Sequence, residues 1–162
     1  MTNILEAIYN IANHQDFEIK SLYSGRNRAN NIGEALEKYI KDAFAGTLGV
    51  TDELQRIQTF NQEFSWLGSQ NNPPDIMIKG GDAIEVKKTQ SANTSLALNS
   101  SYPKTNLRST SPMITKECKE CEDWTVKDLI YCVGHTTDTN VKSLWMVYGN
   151  SYAAKHETYQ RI

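Results

Sequence analysis

Pro74-Asp75-Ile76-Met77-Ile78, then Lys79-Gly80-Gly81-Asp82, then Ala83-Ile84-Glu85-Val86-Lys87-Lys88 is the stretch on which the fold turns. Two short β-rich runs, 75–78 and 83–88, flank a glycine pair, the signature of a hairpin. With a three-residue loop of Lys79, Gly80 and Gly81, a glycine takes the left-handed turn position and Asp75 falls opposite Glu85. Ile76 then pairs with Ile84. One face gathers Ile76, Ile78, Ile84 and Val86, and the other gathers Asp75, Met77, Ala83, Glu85 and Lys87. A loop of even length would set Glu85 beside Ile76 and mix charge into the apolar face. Because side chains alternate strictly along a strand, the register that sorts the faces is the expected one.

The sorted face brings two carboxylates and a lysine together. Two carboxylates at that spacing repel one another unless a cation neutralises them, and hard oxygen ligands suit Mg²⁺, with Mn²⁺ as a substitute. Asp75 and Glu85 are therefore the candidate metal ligands. Lys87, two residues beyond Glu85, points to the same side. There it can orient or help deprotonate a water attacking phosphorus, or stabilise the charge that develops in the transition state. A metal would lower the water's pKa and polarise the phosphate. This is equipment for phosphodiester hydrolysis. The competing reading of the same residues is an exposed hairpin with solvated charges.

Working outward, the clearest helix covers residues 31–45, where Ile32, Leu36, Tyr39, Ile40, Ala43 and Phe44 form one apolar stripe and Gly46 is a stop signal. Glu37 sits at the edge of that stripe, and Glu34 points further out. Residues 1–13 carry Ile4, Ile8 and Ile11 at helical spacing. A strand is expected at 61–67, a loop at 68–74, a weak helix at 114–124, strands at 129–133 and 144–148, and a closing helix at 151–162. The stretch 89–111 turns polar and reads as a long surface loop, a kind of segment more often functional than idle. From residue 31 the order is α, β, β, β, α, β, β, α, a mixed sheet flanked by helices.

Composition sets the bounds. At 162 residues the chain is one domain's worth of protein, and 39% hydrophobic with 22% charged content is ordinary for a globular fold. No run of ~18 apolar residues occurs, so no membrane partner is expected. Residues 1–13 include Glu6, unlike a signal peptide. Three cysteines, an odd number, do not make a secreted disulfide framework, and a cytoplasmic location is expected. A net charge of −2 argues against a histone-like electrostatic DNA binder but not against a nuclease.

In the polar stretch, Asn99, Ser100, Ser101, Lys104 and Arg108 are candidate DNA contacts, the cations for phosphates or guanine edges and the amide and hydroxyls for added hydrogen bonds. Arg26, Arg28 and Asn30, just before or at the start of the main helix, form a second patch, and Lys88 would extend the positive rim. Cys118-x-x-Cys121 with Cys132-x-x-His135 offers four potential zinc ligands. Against zinc, Cys132 sits within Leu-Ile-Tyr-Cys-Val, where a small buried side chain is the ordinary expectation.

Pro74-Asp75 with Glu85-Val86-Lys87 resembles the PD-(D/E)xK nuclease signature, and the element order resembles that superfamily's αβββαβ core, an α/β, restriction-endonuclease-like fold. More narrowly, Arg28-Ala29-Asn30-Asn31-Ile32-Gly33, Leu36-Glu37, Asn72-Pro73-Pro74-Asp75 and Gly81-Asp82-Ala83-Ile84-Glu85-Val86-Lys87-Lys88 are similar to the NgoPII-type type II restriction endonucleases. So are Leu98-Asn99-Ser100-Ser101-Tyr102-Pro103-Lys104 and Asp128-Leu129-Ile130-Tyr131. The resemblance implies Mg²⁺-dependent double-strand cutting at a short palindromic site by a homodimer. Asp75 and Glu85 would be its ligands, Lys87 its catalytic lysine and Glu37 an accessory helix carboxylate. It also implies a cognate DNA methyltransferase that acts on the same site without needing to bind this protein. Such enzymes are longer than this chain, so a C-terminal part of the family's full length is expected to be missing from a single nuclease domain over 1–162. The alternatives are a repair or junction-resolving nuclease on the same core, and a DNA-binding module that does not cleave.

Overall fold

The computed structural model describes residues 1–14, 16–19, 28–69, 71–91, 102–137, 140–159 and 161, apart from the side chains of 28–32 and 156. Arg26, Asn99, Ser100 and Ser101 lie outside the described residues, as do the side chains of Arg28 and Asn30.

The chain runs α1 (Ile4–His14), α2 (Arg28–Ala45), α3 (Glu53–Glu63), β1 (Phe64–Trp66), β2 (Ile76–Ile78), β3 (Ala83–Thr89), β4 (Asn106–Arg108), α4 (Lys116–Glu120), β5 (Val126–Thr136), β6 (Val141–Tyr148), α5 (Gly149–Tyr152) and α6 (His156–Tyr159). The six strands form one mixed sheet, β1-β2-β3-β5-β4, with β6 also paired to β5. Among the described residues only the β3–β5 pairing is parallel, so the α4 segment serves as the crossover between them.

The apolar stripe of α2 explains why it docks on the sheet. Leu36, Tyr39, Ile40, Ala43 and Phe44 are buried against Ile76, Ile78, Ile84, Ile130 and Cys132. Gly46 ends the helix at φ 70, a conformation that suits glycine. Gly134 of β5 lets α2 lie close, because a Cβ there would stand 2.6 Å from a methyl of the fully buried Leu36. The opposite face of the sheet carries a second core of Met77, Ala83, Leu107, Leu129 and Tyr131, covered by Ile114 and Cys118.

Several expectations are corrected. Residues expected to begin a strand at 61 belong to α3, which Asp52 caps through its side chain on the amides of Leu54 and Gln55. The polar stretch 89–111 holds a strand, β4, anchored by the buried Leu107. In place of one closing helix there are two of four residues each. Among the described residues no helix is long and apolar enough to cross a membrane.

Candidate active site

Ile76 pairs with Ile84 and Met77 with Ala83, which is the three-residue-loop register, and Gly80 takes the left-handed position at φ 63. The apolar face packs on α2. The other face is also covered, since Met77 and Ala83 are fully buried in the second core. The loop itself is pinned by residues that the sequence did not single out. Buried Lys127 donates to the carbonyls of Ile78 and Gly81 and is ion-paired with Glu122, which in turn accepts the amide of Gly80.

Asp75 stands just beyond the end of β2. Its amide donates to the Ile84 carbonyl at 3.1 Å, and its Oδ2 accepts the Val86 amide at 2.6 Å. The carboxylate thus occupies the edge of β3 where its partner strand stops. Two neighbours fix the approach. The Trp66 indole donates to the Pro74 carbonyl, and Gly68, at φ 93, passes so close that a Cβ would stand 2.6 Å from the Asp75 carbonyl oxygen. Burial and, second, the nearby Glu85 carboxylate push the Asp75 carboxyl up to about 7; the Val86 hydrogen bond and Lys87 oppose this.

Glu85 lies on β3 with only 13% of its side chain exposed, and Lys87 Nζ pairs with its Oε1 at 2.7 Å. Its second oxygen, Oε2, is buried and has no hydrogen-bond partner among the described residues. A buried carboxylate oxygen without a donor is costly unless a cation or a water meets it. Asp75, Glu85 and Lys87 are therefore brought together, with one oxygen left open.

Glu37 is on the α2 side and raises Asp75 through its charge, but its carboxylate is held by Lys41 at 2.6 Å. Among the described residues no group of three or more His, Cys, Asp or Glu could hold a metal ion, so Glu37 stands apart from the Asp75–Glu85 pair in this arrangement.

The same observation removes the zinc set. Along β5 alternate residues face opposite cores, so Cys132 lies with α2 while Leu129, Tyr131 and Val133 face the other side with Cys118 and Cys121. The odd spacing from Cys132 to His135 sends them to opposite faces of one strand. Cys118 instead packs on Met77, and Cys121 donates to the Cys118 carbonyl.

The DNA candidates separate likewise. Arg108 is exposed on β4 and lines an open groove of about 490 Å³ with Lys104, Thr105, Asn106, Thr110 and Tyr159. Lys104 also lines a small recess beside Glu85, Lys87 and Tyr131. Burial lowers the Lys104 pKa, with the Lys87 charge adding and Glu85 opposing. Burial pushes the Tyr131 phenol up to about 12, although its oxygen accepts the Lys104 amide at 2.8 Å. Lys88 points to the other face, its ammonium running along Gly33 of α2.

Residues 2–162 match the model of the NgoPII restriction endonuclease family. The chain belongs to that family. It is 48% identical over 161 residues to the type II restriction enzyme NgoPII of Neisseria gonorrhoeae, which covers 99% of this chain and 58% of that protein. The chain thus spans a little over half the length of the curated relative it matches. No solved structure matches it. The architecture of the chain is a mixed α/β one, a six-stranded sheet flanked by helices.

Proposed function

We propose that this protein is a type II restriction endonuclease that cuts both strands of duplex DNA at a short specific site, with Asp75, Glu85 and Lys87 as its catalytic centre. The observation that carries this reading is the buried, unpartnered Oε2 of Glu85 beside an Asp75 whose carboxyl is pushed up to about 7, next to Lys87. This donor set fits a hard divalent cation. Two carboxylates are the usual protein contribution to Mg²⁺, which keeps several waters and shares phosphate oxygens. Bound there, Mg²⁺ would neutralise the pair, polarise the scissile phosphate and acidify the attacking water.

The chain's own groups do the rest. Asp75 and Glu85 hold the charge that the cation requires, and the second core keeps bulk water from behind the hairpin. Lys87 Nζ, released from Glu85, hydrogen-bonds the attacking water or a non-bridging phosphate oxygen. In hydrolysis the water oxygen bonds to phosphorus as one phosphorus–ester bond breaks, and a proton from the water ends on the departing oxygen. The groove from Lys104 to Arg108 fits a DNA backbone, with Arg108 as a candidate for base-edge contact. A palindromic site cut on both strands calls for two centres, which a two-fold homodimer supplies. A methyltransferase acting on the same site, and a bacterial cytoplasmic location, belong to this reading.

Plasmid DNA incubated with the protein and Mg²⁺ is expected to give discrete fragments, and EDTA is expected to stop cutting. Nicking confined to branched DNA would favour a junction-resolving nuclease, and Mg²⁺-independent binding without cutting would favour a binding module.

A second test reads the cation without cleavage. The raised Asp75 pKa means that its contribution to stability is present below the ordinary Asp value of about 4 and is lost as pH rises through about 7. Mg²⁺ binds the ionised form, so it should raise the melting temperature clearly at pH 8 and little at pH 5.5. Asp75→Asn should abolish the pH 8 gain. An equal gain at both pH values, or a gain that survives in the variant, would count against Asp75 as a ligand.

A further inference from the structure

We propose that Lys104 is a second catalytic lysine, whose ammonium meets the scissile phosphate itself rather than a flanking one. The inference rests on the nuclease reading above and assigns Lys104 a role in the chemical step. From sequence alone Lys104 is a general DNA contact. Its place in the fold is more particular.

Lys104 lies where two hollows meet. It lines the open groove with Arg108, and it lines the recess with Glu85, Lys87 and Tyr131. A backbone following the groove toward Glu85 must pass it. Its main chain is fixed from two sides. The amide donates to the Tyr131 hydroxyl at 2.8 Å, and the Lys104 carbonyl packs so tightly on buried Gly149 that a Cβ there would collide with it. Tyr131 is the β5 residue paired with Glu85 in the parallel register, so Lys104 is referenced to the metal-binding strand through one hydrogen bond.

The charges complete the argument. Lys87 is committed to Glu85 at 2.7 Å. Lys104 makes no ion pair among the described residues, and its ammonium rests 5.2 Å from the centre of the Tyr102 ring. A half-buried ammonium with an aromatic ring on one side and no carboxylate at ion-pair distance among the described residues invites an anion. The anion within reach of the recess is the phosphate presented to Asp75 and Glu85. Lys104 would then stabilise charge on its non-bridging oxygens as the water oxygen bonds to phosphorus and the ester bond breaks. No proton is taken from Lys104 in this step.

Lys104→Met keeps the stem and removes the charge, and Lys104→Arg restores the charge. Single-turnover cleavage of a plasmid fragment is measured with protein saturating, alongside the dissociation constant with Ca²⁺ replacing Mg²⁺. Lys104→Met is expected to slow the saturated rate by at least about tenfold while the dissociation constant moves less than about threefold, with partial recovery in Lys104→Arg. Tyr131→Phe, which loses only the hydrogen bond that positions Lys104, should slow the same rate by a smaller factor. An active wild type with an unchanged saturated rate in Lys104→Met, or a loss confined to binding, overturns the assignment alone. A wild type that binds DNA but never cuts overturns the nuclease reading and this assignment together.

Discussion

Replacing Asp75 or Glu85 with alanine is expected to abolish DNA cleavage, lowering the single-turnover rate by about 10³-fold or more. A cation at this pair would contribute several kcal/mol of charge stabilisation to the transition state, and each 1.36 kcal/mol is tenfold in rate. The fold should survive either change. Neither side chain belongs to the apolar face that packs on α2. Asp75→Ala gives up the bond to the Val86 amide, worth about 1 kcal/mol, but it also relieves the burial of the carboxylate and, second, the Glu85 repulsion that raise the Asp75 pKa. Urea unfolding at pH 8 would confirm that the variants remain folded, and cleavage would be followed at saturating Mg²⁺. Rates near wild type in either variant would remove the two-carboxylate centre, whatever became of the family assignment. Asp75→Asn keeps the shape and the hydrogen bond to Val86, so its loss of activity would isolate the charge.

The hairpin was legible because its evidence is parity. Nine alternating residues and a glycine pair permit one register that keeps Ile76, Ile78, Ile84 and Val86 on one side, and the pairing of Ile76 with Ile84 follows it. The same rule applied to Cys132 and His135 would have dismissed zinc, since an odd separation on one strand cannot bring both side chains to one site. Helix α3 was hidden for a different reason. Its Leu54 and Ile57 are exposed, leaving Phe60 as its buried apolar residue, so the periodic signal is faint and only the Asp52 cap marks its start. Strand β4 is three residues long, too short for alternation to declare itself, and it forms because Leu107 finds the second core.

What the sequence could not reach was the meeting of distant segments. Lys127 sits 49 residues from Ile78 along the chain, yet it holds the turn of the β2–β3 hairpin. Lys104 and Tyr131 are 27 residues apart, and nothing in either local pattern tells that one amide meets the other hydroxyl. These contacts follow from the parallel pairing of β3 with β5. A parallel pairing needs a crossover, and residues carried by or emerging from that crossover can be delivered to β3 without any local signature.

Lys87 and Lys88 should part company when each is replaced by alanine. The strand alternates them to opposite faces, Lys87 beside Glu85 in the recess and Lys88 along Gly33 of α2. Lys87→Ala is expected to cut the single-turnover rate by about 10²-fold at saturating protein, because a positioned ammonium acts on the water or on developing charge only in the chemical step. Its effect on binding with Ca²⁺ should be small. Lys88→Ala should leave the saturated rate within about threefold of wild type. It should instead weaken binding and flatten the dependence of log K on log salt by about 0.9 if Lys88 meets one phosphate. Measuring the rate and the salt slope on the same variants separates chemistry from association. Indistinguishable behaviour in both assays would mean that the alternation of faces has no chemical consequence here, and the case for Lys87 as the catalytic lysine would go with it.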